Sequence, residues 1–259
     1  MHISIIIPFY NEEGNAEGVI EEIQTIHPEA EIIAVDDGST DQTAAVLHRQ
    51  KNIRLISLPR QSGQSAALYR GIMEAHGDLL VLIDGDGQTS IPDIQKLIAY
   101  IPQYDFINGH RVDRMDSWTR RIASRIANAT RQRVLHDKVL DTGGSPKVMK
   151  RKCVPHLFPI DSMHRFIPAM MVRAGFRTIE VPVSHRPRVH GENKYGFWRR
   201  AVRGTMDLIG MKWLLSRRFE THDEESSKTA DLSVANRSTT QPADPFHKKK
   251  PAWNERAGR

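Results

Sequence analysis

The amino-acid sequence predicts an α/β fold in which a mostly parallel sheet is covered by helices on both faces. Three observations carry this. From Ile3 to Gly109, short apolar runs rich in Ile, Val and Leu alternate with segments of helical periodicity, the pattern of repeated strand–helix–strand units. Two of the apolar runs end in carboxylate- and glycine-rich loops, Asp36-Asp37-Gly38 and Asp84-Gly85-Asp86-Gly87, and ligands of such sheets bind beyond the carboxyl ends of the strands. The chain of 259 residues, 39% hydrophobic and 26% charged, is long enough for one large domain and too apolar for wholesale disorder.

The elements follow in order. Ile3–Pro8 reads as a buried strand, and 14–26 as a helix with Val19, Ile20, Ile23 and Ile26 on one face. Glu31–Asp36 is the second strand, followed by a helix capped at Ser39 or Asp41. Ile53–Leu58, Ser65–His76 and Leu79–Asp84 repeat the strand–helix–strand scheme, and Ile94–Ile101 with Asp105–Gly109 adds a helix and a strand. After Arg111 the pattern changes. A basic helix is expected over 118–135, a strand pair or loop over 139–149 around Gly143-Gly144, a helix over 163–174 and a strand at Thr178–Val183. A loop rich in Arg, His and Gly, Ser184–Gly196, leads into an amphipathic helix, Phe197–Arg218, that is basic at both ends. These readings give one folded domain over 1–219 and a disordered tail over 220–259, where apolar periodicity stops.

Composition narrows the function. The formal net charge is +6, which points to an anionic partner: nucleic acid, an anionic membrane surface or a phosphorylated substrate. The lone Cys153 can form no internal disulfide, and no Cys/His spacing reads as zinc. His2–Pro8 is too short for a signal peptide, and Leu208–Leu215, interrupted by Lys212, falls short of the roughly 20 residues of a spanning helix. The expectation is a chain that lies in the cytoplasm or on the inner membrane face.

Two constellations carry chemistry. Asp36 to Asp41 follows a buried strand. It reads either as a polar turn that caps the next helix or as a seat for a nucleotide, since adjacent carboxylates at a strand end are costly without a partner. Asp84-Gly85-Asp86-Gly87-Gln88 follows the strand Leu79–Ile83. It reads either as a common Asp-Gly turn or as a hard-oxygen site for Mg²⁺ or Mn²⁺ that neutralises a leaving diphosphate.

With Pro8-Phe9-Tyr10-Asn11-Glu12 ahead of them, these clusters resemble the family 2 glycosyltransferases of GT-A fold, more narrowly dolichol-phosphate mannose synthases and bacterial polyprenyl-phosphate relatives. Gly109-His110-Arg111, Asp141-Thr142-Gly143, Met163-His164-Arg165-Phe166 and Arg188-x-x-Gly191-Glu192-Asn193-Lys194-Tyr195-Gly196 fall in that family's order, and the resemblance runs from about Ile3 to Arg218. It departs at Gln61, where Asn is common, and at Asn193, where Ser is usual. Many of these relatives also carry C-terminal membrane helices, which this sequence lacks.

The resemblance implies roles. Pro8, Tyr10, Glu12, Val35 and Asp37 would frame the nucleotide. Asp84, Gly85 and Asp86 would meet the donor, with Asp86 and Gln88 holding the metal, Mg²⁺ or Mn²⁺. Arg188 and Lys194 would close over the diphosphate. Arg111, Arg120 and Ser124 would receive the acceptor phosphate, and positions 120 and 124 do share one helix face. Asn128 and Arg131 would continue along that helix. His164 and Arg165 would support the acceptor phosphate or a lipid head group, with a helix-capping histidine as the other reading. Phe197, Trp198, Trp213 and Leu214 read as core or as a membrane-facing surface. The implied reaction is inverting transfer of a sugar, in the best-known case mannose from GDP-mannose, to a polyprenyl or dolichyl phosphate at the membrane surface. The catalytic residues would be Asp84, Asp86 and Arg111, and a separate membrane protein could be a partner. Three alternatives stand beside it: transfer from a UDP-sugar or to a sugar hydroxyl, a nucleotide-sugar binding protein without catalysis, and nucleic-acid binding. The last fits poorly with acidic clusters at the presumed cleft and no nucleic-acid motif.

Overall fold

The computed structural model describes residues 1–111, 128–135, 137, 139–187 and 197–217; the compact unit they belong to runs from Met1 to Arg217. Its strands are β1 (Ile3–Phe9), β2 (Glu31–Asp36), β3 (Arg54–Ser57), β4 (Leu79–Leu82), β5 (Phe106–Arg111), β6 (Lys147–Lys150) and β7 (Thr178–Val183). Its helices are α1 (Ala16–Ile26), α2 (Thr43–Arg49), α3 (Gln64–Glu74), α4 (Asp93–Ile98), α5 (Met163–Arg173) and α6 (Phe197–Ser216), and residues 128–135 are helical as well. The strands form a seven-stranded sheet in the order β3-β2-β1-β4-β6-β5-β7.

Alternation along the strands explains the layers. Ile5 and Ile7 face the core beneath α1, α2 and α4, with Val19, Ile20, Ile23, Leu47, Ile94 and Leu97. Ile6, Ile33 and Val35 face the other core, beneath α3, α5 and α6, with Leu68, Ile72, Met170, Met211 and Leu215. Each fully buried Ile or Leu is worth roughly 1.5–3 kcal/mol. At Gly71 in α3 a Cβ would lie 2.5 Å from the Ile6 Cγ2, so the missing side chain lets this helix sit close on the sheet.

The parallel core matches the expectation, with one exception. β6 runs antiparallel to both neighbours, pairing Leu82 with Lys147 on one side and Asn108 with Lys147 on the other. The segment 139–149, expected as a strand pair or loop, is therefore a loop followed by one inserted strand. Because that strand runs backwards, its first residue, Lys147, arrives at the edge where the parallel strands end. A 3-10 turn, Arg151–His156, follows it and was not legible in the periodicity. The second helix starts at Thr43 rather than at Ser39 or Asp41; Asp41 accepts from the Thr43 amide at 2.9 Å in the turn just ahead of it.

At the opposite edge of the sheet, Asp105 accepts from Lys150 at 2.9 Å and lies 3.1 Å from the Lys152 ammonium. Burial alone would raise its pKa, but these cations and the Arg177 amide outweigh burial and hold it at about 2. A depressed carboxyl stabilises the fold above its unfolded pKa, and that contribution disappears as pH falls through the folded value. We expect Asp105→Asn to lower unfolding free energy by about 1–2 kcal/mol at neutral pH, discounting for the exposed lysine and arginine. Denaturant titrations should show the gap to wild type closing as pH falls from about 4 towards 2.

Candidate active site

The site lies where β1, β2 and β4 end. The loop after β1 is tied to the loop after β2: the Asn11 amide donates to Ser39 Oγ at 3.0 Å, Thr40 donates its amide to Asn11 Oδ1 at 2.8 Å, and the Glu12 amide donates to Thr43 Oγ1 at 2.8 Å. Glu12 in turn accepts from Asn15 Nδ2 at 2.6 Å. Tyr10 and Glu12 stay half-buried at the rim.

The paired carboxylates of β2 are satisfied internally. Asp36 Oδ1 accepts from the Ser39 amide at 3.1 Å, and Asp37 accepts from the Ser62 and Gly63 amides at 2.7 and 2.8 Å. Neighbouring side chains leave a strand in opposite directions, so each carboxylate meets a different loop. The premise that this pair is costly without a bound ligand is therefore corrected: backbone amides supply the partners, and Asp37 clamps the loop ahead of α3 to the strand end. The Val35 side chain is fully buried in the core because it falls on the α3 side of the sheet, which leaves its backbone as the part that could border a nucleotide. Pro8 is likewise buried.

After β4 the backbone turns tightly. A Cβ on Gly85 would sit 2.6 Å from the Phe9 ring and 2.7 Å from the Pro8 carbonyl oxygen, and Gly87 has φ +73°, a conformation glycine adopts without strain. This places Asp84, Asp86 and Gln88 on one short loop. Asp84 Oδ1 accepts from Gln64 Nε2 at 2.7 Å. Burial and then the nearby Asp86 push the Asp84 carboxyl up to about 6, against the opposing pull of Lys147 and Arg111. The loop is braced from outside: Gln88 and Arg186 exchange hydrogen bonds at 3.0 and 3.2 Å, while the Arg186 guanidinium forks onto Glu22 at 2.7 Å through both nitrogens.

Asp84, Asp86 and Gln88 offer two carboxylates and an amide oxygen on this one loop, a hard donor set. Among the described residues no cluster of three or more His, Cys, Asp or Glu could hold a metal by itself. Two carboxylates and an amide oxygen suit an ion held by one or two carboxylates, with phosphate and water completing its shell, and in that chemistry the residues fit Mg²⁺ or Mn²⁺.

Beside Asp84 a cavity of about 260 Å³ opens, lined among others by Gln64, Arg111, Lys147, His164 and Arg165. Arg111, the last residue of β5, is held by Asp141 through Nε at 2.8 Å and Nη2 at 2.9 Å. Gly143 lets the guanidinium pass, since a Cβ there would lie 2.9 Å from Nη2. Lys147 is 6% exposed and bonds the Gly144 carbonyl. Burial lowers its pKa to about 8 although Asp84 and Asp141 pull it upward. His164, at the start of α5, shares a hydrogen bond between Nδ1 and Ser65 Oγ at 2.8 Å. Burial, then Lys147 and Arg165, press its pKa down to about 3, so it is a neutral imidazole in this cavity.

The fold thus brings together Asp84, Gly85, Asp86, Gln88 and Arg111, with Tyr10, Glu12 and Asp37 on the adjoining loops. Arg120, Ser124, Arg188 and Lys194 lie outside the described residues. Arg131 does not extend a phosphate-facing row: it is buried and faces Asp137 at 3.4 Å. Sequence reasoning missed Lys147, because nothing local distinguishes it from other lysines, and passed over Gln64, although it stands only three residues beyond Gln61.

Residues 4–158 match the family model described as Glycosyl transferase family 2. The undecaprenyl-phosphate 4-deoxy-4-formamido-L-arabinose transferase of Proteus mirabilis (strain HI4320) is 33% identical over 205 residues, which is 75% of this chain and 63% of that protein. The protein of the same name from Edwardsiella ictaluri (strain 93-146) is 32% identical over 207 residues, 76% of this chain and 64% of its own. The chain therefore spans under two thirds of the length of these relatives. Among solved structures, glucosyl-3-phosphoglycerate synthase from Mycobacterium tuberculosis, in complex with Mn²⁺, uridine diphosphate and glucosyl-3-phosphoglycerate, is similar with a TM-score of 0.64 at 20% identity, covering 85% of this chain and 81% of that chain. The same enzyme with Mg²⁺ and uridine diphosphate gives 0.63 at 21% identity, covering 81% of this chain and 79% of that chain. This likeness is one of architecture, and the expected α/β fold of GT-A type holds.

Proposed function

The chain belongs to glycosyl transferase family 2, and from that premise we propose that it moves a sugar from a nucleotide-sugar donor onto a polyprenyl phosphate at a membrane surface. The observation that carries the acceptor is the cavity beside Asp84. Arg111, Lys147 and Arg165 line it, and Asp84 is the carboxylate among its lining residues. A sugar hydroxyl needs a general base within reach, and Asp84, which could be one, already accepts from Gln64 and stands on the loop assigned to the donor. A phosphomonoester is largely dianionic at neutral pH, with a second pKa of about 6, and needs cations to seat it instead.

In this reading the acceptor phosphate oxygen attacks the anomeric carbon, the bond to the nucleoside diphosphate breaks, and the electron pair leaves with the diphosphate. The anomeric configuration inverts. Tyr10, Glu12 and Asp37 border the nucleotide, and Arg188 and Lys194 are assigned to the diphosphate from the family motif. Arg111, with Arg120 and Ser124, and the buried Lys147 hold the acceptor, so that two anions meet in one orientation. Mg²⁺ or Mn²⁺, held by Asp86 and Gln88, would supply positive charge to the departing diphosphate.

The relatives are named for undecaprenyl phosphate and a formamidoarabinose, which supports the lipid acceptor and does not support mannose over other sugars. The test is an assay of short-chain polyprenyl phosphate and free sugars as acceptors, each with GDP-mannose, UDP-glucose and a UDP-linked 4-formamidoarabinose. Transfer to the lipid phosphate from one of these donors is expected. A free sugar accepted better than the lipid phosphate would overturn the acceptor assignment and favour the sugar-hydroxyl alternative.

A further inference from the structure

Three polar side chains stand abreast on the α5 side of the sheet. Lys147 of β6 is the register partner of Asn108 of β5, and Asn108 is that of Glu180 of β7, the edge strand. Register partners share one face of a sheet, and the core on this side holds Leu82, Phe106 and Met149. Polar groups in such surroundings are unfavourable unless they find partners. The partners come from one segment, residues 140–144, that crosses over the row. At one end Lys147 bonds the Gly144 carbonyl. In the middle Asn108 Nδ2 donates to the Asp141 carbonyl at 2.8 Å. At the edge Glu180 Oε2 accepts from the Leu140 amide at 2.7 Å, and Oε1 accepts from the Asp141 amide at 3.2 Å.

The Asp141 backbone is thus gripped at both its N–H and its C=O. Asn108 Nδ2 also donates to Glu180 Oε1 at 2.8 Å, so the two grips are joined. Asn108 is 1% exposed, and its Oδ1 is buried with no hydrogen-bond partner among the described residues. What its amide nitrogen holds therefore orients this side chain. The segment has no slack against β5, since a Cβ on Gly144 would lie 1.7 Å from the Gly109 carbonyl oxygen. From this fixed backbone the Asp141 carboxylate takes Arg111 Nε and Nη2 as a fork, which sets both the place and the plane of the guanidinium.

We propose that Asn108 and Glu180 are positioning residues for the acceptor: they fix the 140–144 segment and, through Asp141, aim Arg111 into the cavity beside Asp84. Neither lines that cavity, so their effect on the acceptor passes through the segment. The purpose rests on the lipid-phosphate reading, and the aim of Arg111 rests on geometry alone.

The test uses the full chain and Glu180→Gln, which keeps the shape and exchanges one acceptor oxygen for an NH₂ group. Solvent exchange of the Arg111 Nε–H, followed by heteronuclear NMR, should become about three- to ten-fold faster, the effect of losing one neutral hydrogen bond. Affinity for a short-chain polyprenyl phosphate should fall by a similar factor, about three- to ten-fold, while nucleotide affinity stays as in wild type. Glu180→Asp, whose two oxygens sit one methylene further back, should lie between, and it carries the same comparison if the glutamine variant does not fold. In an Arg111→Ala background the glutamine substitution should lower acceptor affinity little further, because the two residues act as one unit.

Unchanged Arg111 exchange in both Glu180 variants would overturn the proposal. So would an acceptor loss that adds in full to that of Arg111→Ala, which is what a merely structural role produces. Faster Arg111 exchange in a protein whose wild type binds no lipid phosphate would uphold the positioning and sink the acceptor reading.

Discussion

Transfer activity should fall by about a thousand-fold or more in Asp86→Ala, which corresponds to a barrier raised by about 4 kcal/mol. Asp86 is half-buried, and its carboxylate accepts from the Gln88 amide at 3.1 Å within its own loop, so its loss leaves the sheet and both cores untouched. What disappears is a hard oxygen donor beside Asp84, in a place where a diphosphate must leave with its charge neutralised. Chelation of divalent cations should do the same to the wild type, with recovery on adding back Mg²⁺ or Mn²⁺. The thermal unfolding midpoint of the variant should stay within a few degrees of wild type, and metal-dependent nucleotide binding, followed by calorimetry, should weaken in parallel with turnover. Full turnover in excess EDTA would remove the metal from this site.

The second large effect is expected at Lys147. Lys147→Met keeps the length and apolar stem of the side chain and deletes the ammonium from the cavity. A charge-assisted hydrogen bond is worth roughly 1.5–3 kcal/mol, or about ten- to a hundred-fold in affinity. Acceptor affinity should fall by that factor while nucleotide affinity barely moves, and Lys147→Arg should restore part of the loss. Separate acceptor and donor titrations on wild type and both variants are the measurement. Removing the cation also leaves Asp84 and Asp141 less compensated, so a modest fall in stability accompanies the change, and the arginine variant separates this from lost binding. Were nucleotide affinity to collapse with the acceptor untouched, Lys147 would belong to the donor side. Arg120→Ala should resemble Lys147→Met if the family motif places Arg120 correctly.

How much of this was legible beforehand depends on how far each feature reaches along the chain. Strand and helix periodicity through Asp105 is a local property, and the structure follows it to within a few residues. The glycine-spaced Asp84 and Asp86 were legible for the same reason: one tight loop at one strand end needs no distant partner to be recognised. Arg111 was named from the family's motif order alone, past the strand end expected at Gly109, and the structure sets it at the end of β5 in the lining of the cavity beside Asp84. The carboxylates at Asp36 and Asp37 were visible as a pair, but their partners were not, since the Ser62 and Gly63 amides reach Asp37 only after β2 and the start of α3 are packed together.

Sequence by itself thus determined the α/β layering and the position of the acidic loops, because both follow from residue type at short spacing. Tertiary structure alone decided that β6 runs backwards between β4 and β5, and with it that Lys147 stands beside Asp84 and Arg111 rather than at the far edge. It decided which way Val35 faces, and that α6 leaves Met206, Ile209 and Trp213 exposed. The physical reason is common to all three. The direction of a strand and the occupant of each helix face are set by non-local pairing and burial, and residue spacing along the chain carries no term for either.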